Sequence, residues 1–446
     1  MRQRNSRLRW DAGAAKVVAS MQPQSNVFRH RAFTLFWGAR FLLNLGVAVE
    51  SVTLGWQVYA LARQTRSVEE SAFLVGMVGL VQFLPLFALT LTAGAVADRH
   101  DRRLVSLICL VIETVCVVAL AVLALHPSPS LTPIFVIAAM FGAARAFLVP
   151  ATGAMAPMLV PREELPQAIA FNSMAWQAAA VTGPFLGGVL VAGSASLAYW
   201  VTGGLYGAAA LALLLITANT KPERQEGSQM TLIREGLAYV WSNKIVLGAI
   251  SLDLVAVLLG GATALMPVFA RDVLHVGPTG FGLLRAGPAV GALLTGYVLT
   301  RKPIRSHAGV WLFAGVAIFG LATLVFAVSK LLVLSVIALA VLGAGDMVSV
   351  YIRQSLVQIV TPDAMRGRVS AVAGLFIGAS NELGEFETGI VARIIGPIGA
   401  ALAGGFCSLG ATAVWAMLFP ALRQADSLTR PIPPEEPLKA DVVEVI

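Results

Sequence analysis

Charge is what this sequence has least of. Only 13% of its 446 residues are Asp, Glu, Lys or Arg, about half the roughly 25% of a soluble domain. With 57% hydrophobic residues and a mean hydropathy of +0.79, a water-soluble globular chain is excluded. Cysteine is scarce as well. Cys109, Cys116 and Cys407 all fall within apolar runs at no metal-ligand spacing, so they are read as small core residues and no metal site is expected. Histidine is missing from every long apolar run: His30, His100, His126, His275 and His307 lie in loops or at ends. A P-loop, a zinc motif and a G-x-S-x-G elbow are likewise absent, so the sequence points to no ATP-driven machine, no enzyme and no cofactor.

What remains is a series of apolar runs of about 20 residues, the length that crosses a hydrocarbon core of about 30 Å. Twelve are expected: 33–61, 72–97, 104–125, 133–158, 167–192 and 197–218, then 245–270, 278–300, 308–329, 331–358, 369–394 and 397–419. Alternating patterning is absent, which excludes a membrane barrel. The net charge of +8 looks like a nucleic-acid signal until its distribution is examined. With the N-terminus inside, the tails and the inward loops hold 23 Lys and Arg against five in the outward loops. That asymmetry places both termini in the cytoplasm and accounts for the basic balance without nucleic acid. It also draws those loops to anionic membrane lipids.

The expected organisation is a basic cytoplasmic tail (1–32), a six-helix half (33–218), a linker (219–244), a second six-helix half (245–420) and a disordered tail (421–446). No secretory signal precedes the first run, and Met21 is an alternative start. In the linker Leu232, Ile233, Gly236, Leu237, Val240 and Trp241 recur at helical spacing, as in an amphipathic helix on the inner membrane face. The halves are related by an offset of 201: Gly142 matches Gly343, Pro161 matches Pro362, Gly183 matches Gly384 and Gly188 matches Gly389. With one gap, Gly79 to Pro85 matches Gly282 to Pro288. The same register sets Arg145 against Asp346 and Pro184 against Glu385. The repeat therefore diverges where charge would have to be handled asymmetrically.

Between spans 2 and 3 the chain reads Gly94-Ala-Val-Ala-Asp98-Arg99-His-Asp101-Arg102-Arg103. This resembles G-x-x-x-D-R-x-G-R-R, the signature of the major facilitator superfamily, with Asp101 in place of the second glycine. Span 5 carries Gly183-Pro184-Phe-Leu-Gly187-Gly188, similar to the antiporter motif of that superfamily's drug:proton exporters, although Ala179 replaces a common preceding glycine. Arg145 stands where those exporters keep an intramembrane arginine. The stretches from Arg353 to Ser370, Ser380 to Glu387 and Arg145 to Ala151 resemble the enterobactin-exporter-like branch. The resemblance covers about residues 28–420. It implies an all-α polytopic protein of the inner membrane, with two pseudo-symmetric six-helix bundles that rock about a midplane site. It further implies a conformational gate made of Gly94, Asp98, Arg99, Arg102 and Arg103 with Gly183, Pro184, Gly187 and Gly188.

Charges inside the spans are functional suspects because the bilayer does not solvate them. They are Arg40, Glu50, Glu113, Arg145, Asp253, Arg285, Asp346, Arg353, Glu382, Glu385 and Glu387. Glu50, Arg145, Asp346, Arg353, Glu382 and Glu385 are the candidates for handling substrate or protons. Glu382 and Glu385 lie one turn apart on one helix face, and like charges so placed favour proton uptake. Asp346 and Arg353 share a face of span 10, with Arg145 or a span-11 glutamate the expected ion-pair partner. The bland alternative for each is a structural ion pair between helices. With no histidine in a span, proton coupling would fall to carboxylates. The sequence thus reads as a monomeric secondary exporter of a small molecule, drug-like or siderophore, by proton antiport. An anionic lipid or metabolite transporter, or a transport-inactive receptor or scaffold, is the alternative.

Overall fold

In the bilayer every backbone N–H and C=O must be satisfied within the chain, so apolar runs of this length form helices. The computed structural model describes residues 27–126, 130–221 and 229–425. Spans 1 to 6 are Arg31–Ala62, Val68–Ala97, Arg102–Leu123, Leu131–Gly153, Leu165–Gly193 and Ala195–Leu214. Span 7 occupies Lys244–Val273. Spans 8, 9 and 10 are Gly277–Arg301, Ala308–Val328 and Leu332–Val360. A final helical stretch, Asp363–Leu418, has 56 residues, about 84 Å at 1.5 Å per residue and far too long for one crossing. Gly396 interrupts it at φ 79°, ψ 163°, with Pro397 behind it. Only glycine takes that backbone conformation without strain, so span 11 (363–395) and span 12 (397–418) turn on a single residue and the spans among the described residues number twelve.

The outward faces are apolar. On span 3, Leu104, Ile108, Val111, Val115 and Val122 are exposed while Cys109, Glu113, Cys116 and Leu120 are buried. The first group faces lipid and the second the bundle. Cys407 corrects the expectation for the cysteines: it is exposed on span 12, and only Cys109 and Cys116 are core residues.

Span 7 is not one regular helix. It is α-helical over Lys244–Leu259, breaks at Gly260-Gly261, continues as a 3₁₀ turn over Ala262–Leu265 and ends in a π-turn over Phe269–Val273. The break lets the chain pass close to spans 11 and 12, since a Cβ on Gly260 would lie 2.7 Å from Ser408 Oγ and one on Gly261 3.0 Å from the Gly384 carbonyl.

The linker contains a helix at Gln229–Ser242. Gly236 packs so closely that a Cβ would lie 2.8 Å from the Arg368 carbonyl, Tyr239 donates to the Val360 carbonyl at 3.0 Å, and Glu235 pairs with Arg368. Val240 is buried with Val246, Val357, Val369 and Val372, whereas Leu237 and Trp241 are exposed. The apolar stripe is therefore split between the second half and the open surface. The expected tails and the Met21 start lie outside the described residues, apart from 27–32 and 421–425.

Candidate functional site

Span 4 meets span 2 where Gly142 faces the Gln82 carbonyl, an approach that leaves no room for a Cβ. One turn on, Arg145 projects among spans 1, 2 and 3. It forms an ion pair with Glu50 and donates to Gln82 Oε1 at 3.2 Å, and its Nε lies 3.6 Å from Glu113 Oε1. Its guanidinium sits 5.3 Å from the Phe141 ring centroid. Glu50 and Glu113 have no exposure to solvent. Two carboxylates thus share one guanidinium in the dry interior of the first half, where a charge must be paired to persist. Arg40, ten residues before Glu50 on span 1, donates to Thr152 Oγ1 at 2.6 Å and ties span 1 to span 4.

Across the interface between the halves, Glu382 and Glu385 face Arg285 of span 8. Arg285 lies 3.6 Å from Glu385 and donates to Ser51 of span 1 at 3.0 Å; Thr263 donates to Glu385 at 3.4 Å. Arg145, Gln82, Arg285, Glu382 and Glu385 line one cavity of about 200 Å³ at mid-height, with Val47, Leu54, Val75 and Phe281 among its apolar walls. A side pocket of about 250 Å³ shares Val47, Ser51 and Arg285 with it and continues past Asn44 and Trp176 toward the basic loops. Glu387 is not in this lining. Arg285 belongs to the cavity although sequence reasoning did not select it for cargo or protons. The signal was there, since the repeat aligns it with Gln82.

Asp346 and Arg353 do not join this cavity, and neither pairs with Arg145 or a span-11 glutamate. Arg353 instead reaches Asp253 of span 7 at 3.3 Å. The shared face of span 10 points into the second bundle, whereas the span-11 glutamates point out of it.

The halves meet most closely at the end away from the basic loops. A Cβ on Gly188 would lie 2.7 Å from Gly282 Cα, and one on Gly76 3.0 Å from Gly389 Cα. Gly183 and Gly187 bring span 5 onto Ala48 and Val49 of span 1. Beyond the glycines, Asp272 accepts from Tyr59 and lies 3.2 Å from Arg63, and Arg271 donates to the Ala60 carbonyl at 3.4 Å. This latch escaped the sequence reading because its members are some 210 residues apart and look like ordinary loop charges.

The model of a family described as transmembrane secretion effector matches residues 23–444. The chain belongs to that family. Its curated relatives include the enterobactin exporter EntS of Citrobacter koseri, 27% identical over 394 residues, covering 84% of this chain and 89% of the relative. The enterobactin exporter of Shigella boydii is 27% identical over the same shares. Among solved structures, a POT family transporter superposes with a TM-score of 0.69 at 10% identity, covering 88% of this chain and 96% of that one. A D-xylose-proton symporter superposes at 0.67 and 14% identity, covering 90% and 99%. These likenesses carry the major facilitator fold, and the chain is a multi-pass membrane transporter.

In this secretion-effector transporter the signature loop braces the first half. Asp98 lies 3.8 Å from Arg102, and Gly94 accepts the Asp98 amide at 3.0 Å. Arg102 donates to the Ala154 carbonyl at 2.9 Å and Arg103 to the Ile216 carbonyl, so they clamp the ends of spans 4 and 6. Arg99 is exposed. Asp101 caps span 3 at φ −59°, ψ 114°, accepting from the Arg103 amide and the Thr220 hydroxyl. Its φ is one any residue adopts, so glycine is not required there. Burial alone would push the Asp101 carboxyl up, but the Thr220 hydroxyl and the Arg103 and Leu104 amides outweigh it and hold the group below the usual carboxylate range. Asp101→Ala is expected to cost about 1 kcal/mol, as loss of a cap does. A thermal-stability assay in detergent checks this; an unchanged melting curve contradicts the capping role.

Proposed function

We propose that the chain is a secondary active exporter that moves a small amphipathic molecule, siderophore or drug-like, outward across the cell inner membrane by alternating access and proton antiport. The observation that carries this reading is the mid-height cavity, continued toward the basic loops and sealed at the opposite end. Its free space of about 200 Å³ and the about 250 Å³ of the adjoining side pocket together reach the range that encloses drug-sized ligands, about 300–1,000 Å³. Paired Arg and Glu on apolar walls suit a cargo with both polar and greasy parts. The charge asymmetry of the loops supports a cytoplasmic position for the continued end, which makes it the loading side. The curated relatives named as enterobactin exporters support outward movement and the siderophore class.

Coupling follows from charge arithmetic. Glu50, Glu113 and Arg145 are neutral together when one carboxylate holds a proton, and the same count holds for Glu382 and Glu385 with Arg285, which pairs with Glu385. A cationic group of the cargo and a proton compete for the same carboxylates, which is the thermodynamic requirement of antiport.

The test is flux into everted proteoliposomes with an acidic lumen, screened with siderophores and cationic drugs. Acid-driven uptake of at least one compound is expected, and Glu385→Gln should reduce it about tenfold or more, the effect of removing an interaction of about 1.4 kcal/mol. Absence of acid-driven flux across the screen rejects the antiport reading.

A further inference from the structure

The second half contains a charge cluster that the central cavity does not use. Asp253 of span 7 lies 203 positions after Glu50, the displacement that also carries Gly79 to Gly282. Asp346 corresponds to Arg145 at the offset of 201. Each half therefore places two carboxylates and one arginine inside its bundle: Glu50, Glu113 and Arg145 in the first, and Asp253, Asp346 and Arg353 in the second.

In the second cluster the pairing is incomplete. Arg353, 3% exposed, is committed to Asp253 at 3.3 Å. Asp346 makes no hydrogen bond and no ion pair within 4.0 Å among the described residues. Both carboxylates line a crevice of about 10 Å³ between spans 7, 9 and 10, no larger than one water needs. Ser349 also lines it; it is 3% exposed and its hydroxyl has no partner among the described residues. An unpaired carboxylate thus lies one helical turn from an unpaired hydroxyl, where polar side chains ordinarily have a hydrogen-bond partner.

We propose that Asp346 is a proton-binding site of the second half, separate from the central cavity, with Ser349 hydrogen-bonded to the carboxyl and Arg353 holding Asp253 ionised beside it. The charged groups around Asp346 are few. Asp253 faces it from span 7 and Arg353 follows it on span 10, while span 9 contributes Val316 and Phe319 and span 8 meets span 10 at Gly343 and Met347. With Arg353 satisfying Asp253, one negative charge is in excess, and one proton on Asp346 cancels it. A metal cation would need several converging oxygens and would sit against the guanidinium, whereas a proton needs one oxygen. Asp346 is only partly buried.

The proposal extends the antiport reading to a second coupling site, and its test needs no cargo. Infrared difference spectra between acidic and alkaline pH are recorded on the full chain in nanodiscs. Asp346→Asn is expected to remove one protonated-carboxyl band, which the double variant Glu50→Gln/Glu113→Gln retains. Asp346→Glu should keep that band at a shifted frequency, and Ser349→Ala should shift it in an otherwise intact protein. An Asp346→Asn spectrum identical to the parent overturns the proposal. So does a band that Ser349→Ala leaves in place, or one that disappears on adding sodium at constant pH. Loss of acid-driven export with these bands intact would count against the antiport reading alone.

Discussion

Gly188→Val is expected to hold the transporter open at the end that is now sealed, and to cut flux about a hundredfold. The obstacle to a side chain there is main chain. A Cβ would lie 2.7 Å from Gly282 Cα and 2.8 Å from the Pro278 carbonyl, and the reverse substitution at Gly282 meets the Pro184 carbonyl at 2.8 Å. Flexible side chains relieve overpacking for about 1–3 kcal/mol, but two backbones in contact have no rotamer to change. Inverting a 99:1 preference takes about 5.5 kcal/mol, so even part of the penalty redistributes the two access states strongly. In a Cys407→Ser background, Ser51→Cys in the cavity should become reactive to a membrane-impermeant thiol reagent added from the sealed side. Unchanged protection of that cysteine would show that the glycine contact does not set the closed state.

Removal of Arg145 is the second large effect. Arg145→Ala leaves Glu50 and Glu113 facing each other with no exposure and no cation, and breaking a buried pair from one side costs about 3–5 kcal/mol. Most of the Arg145→Ala protein should fail to fold, giving an aggregated profile in fluorescence-detected size exclusion. The triple variant Arg145→Ala/Glu50→Gln/Glu113→Gln, which removes the stranded charges with the arginine, should recover a monodisperse peak but no acid-driven flux. Arg145→Lys keeps the charge but not the planar fork that serves Glu50, Gln82 and Glu113 together, and should fold while transporting poorly. If Arg145→Ala is as stable as the parent, the triad is not a buried charge network.

The twelve crossings were legible because the bilayer imposes one length and one kind of backbone satisfaction. Span 1, expected at 33–61, is Arg31–Ala62, and span 10, expected at 331–358, is Leu332–Val360. Span 7 was less legible: hydropathy runs smoothly through Gly260-Gly261, and only the glycine pair marks the break. The individual charges were equally visible, since an ionised side chain in an apolar run stands out. Their partners were not. Hydropathy does not say toward which neighbour a face of span 10 turns, so Arg353 was paired with the wrong helices. Arg285 and Asp253 stayed in the general pool of suspects because their roles depend on which bundle surface they occupy. The latch of Tyr59, Arg63 and Asp272 is a tertiary fact with no local trace.

The seal at Gly76–Gly389 and Gly188–Gly282 consists of main chain against main chain, while the cavity below it is lined by side chains. Substitutions that retune which cargo is carried therefore leave the closing surface untouched, and the two properties can diversify independently. A lineage of such proteins can exchange one exported compound for another by altering a few wall residues, with the same shutter serving each.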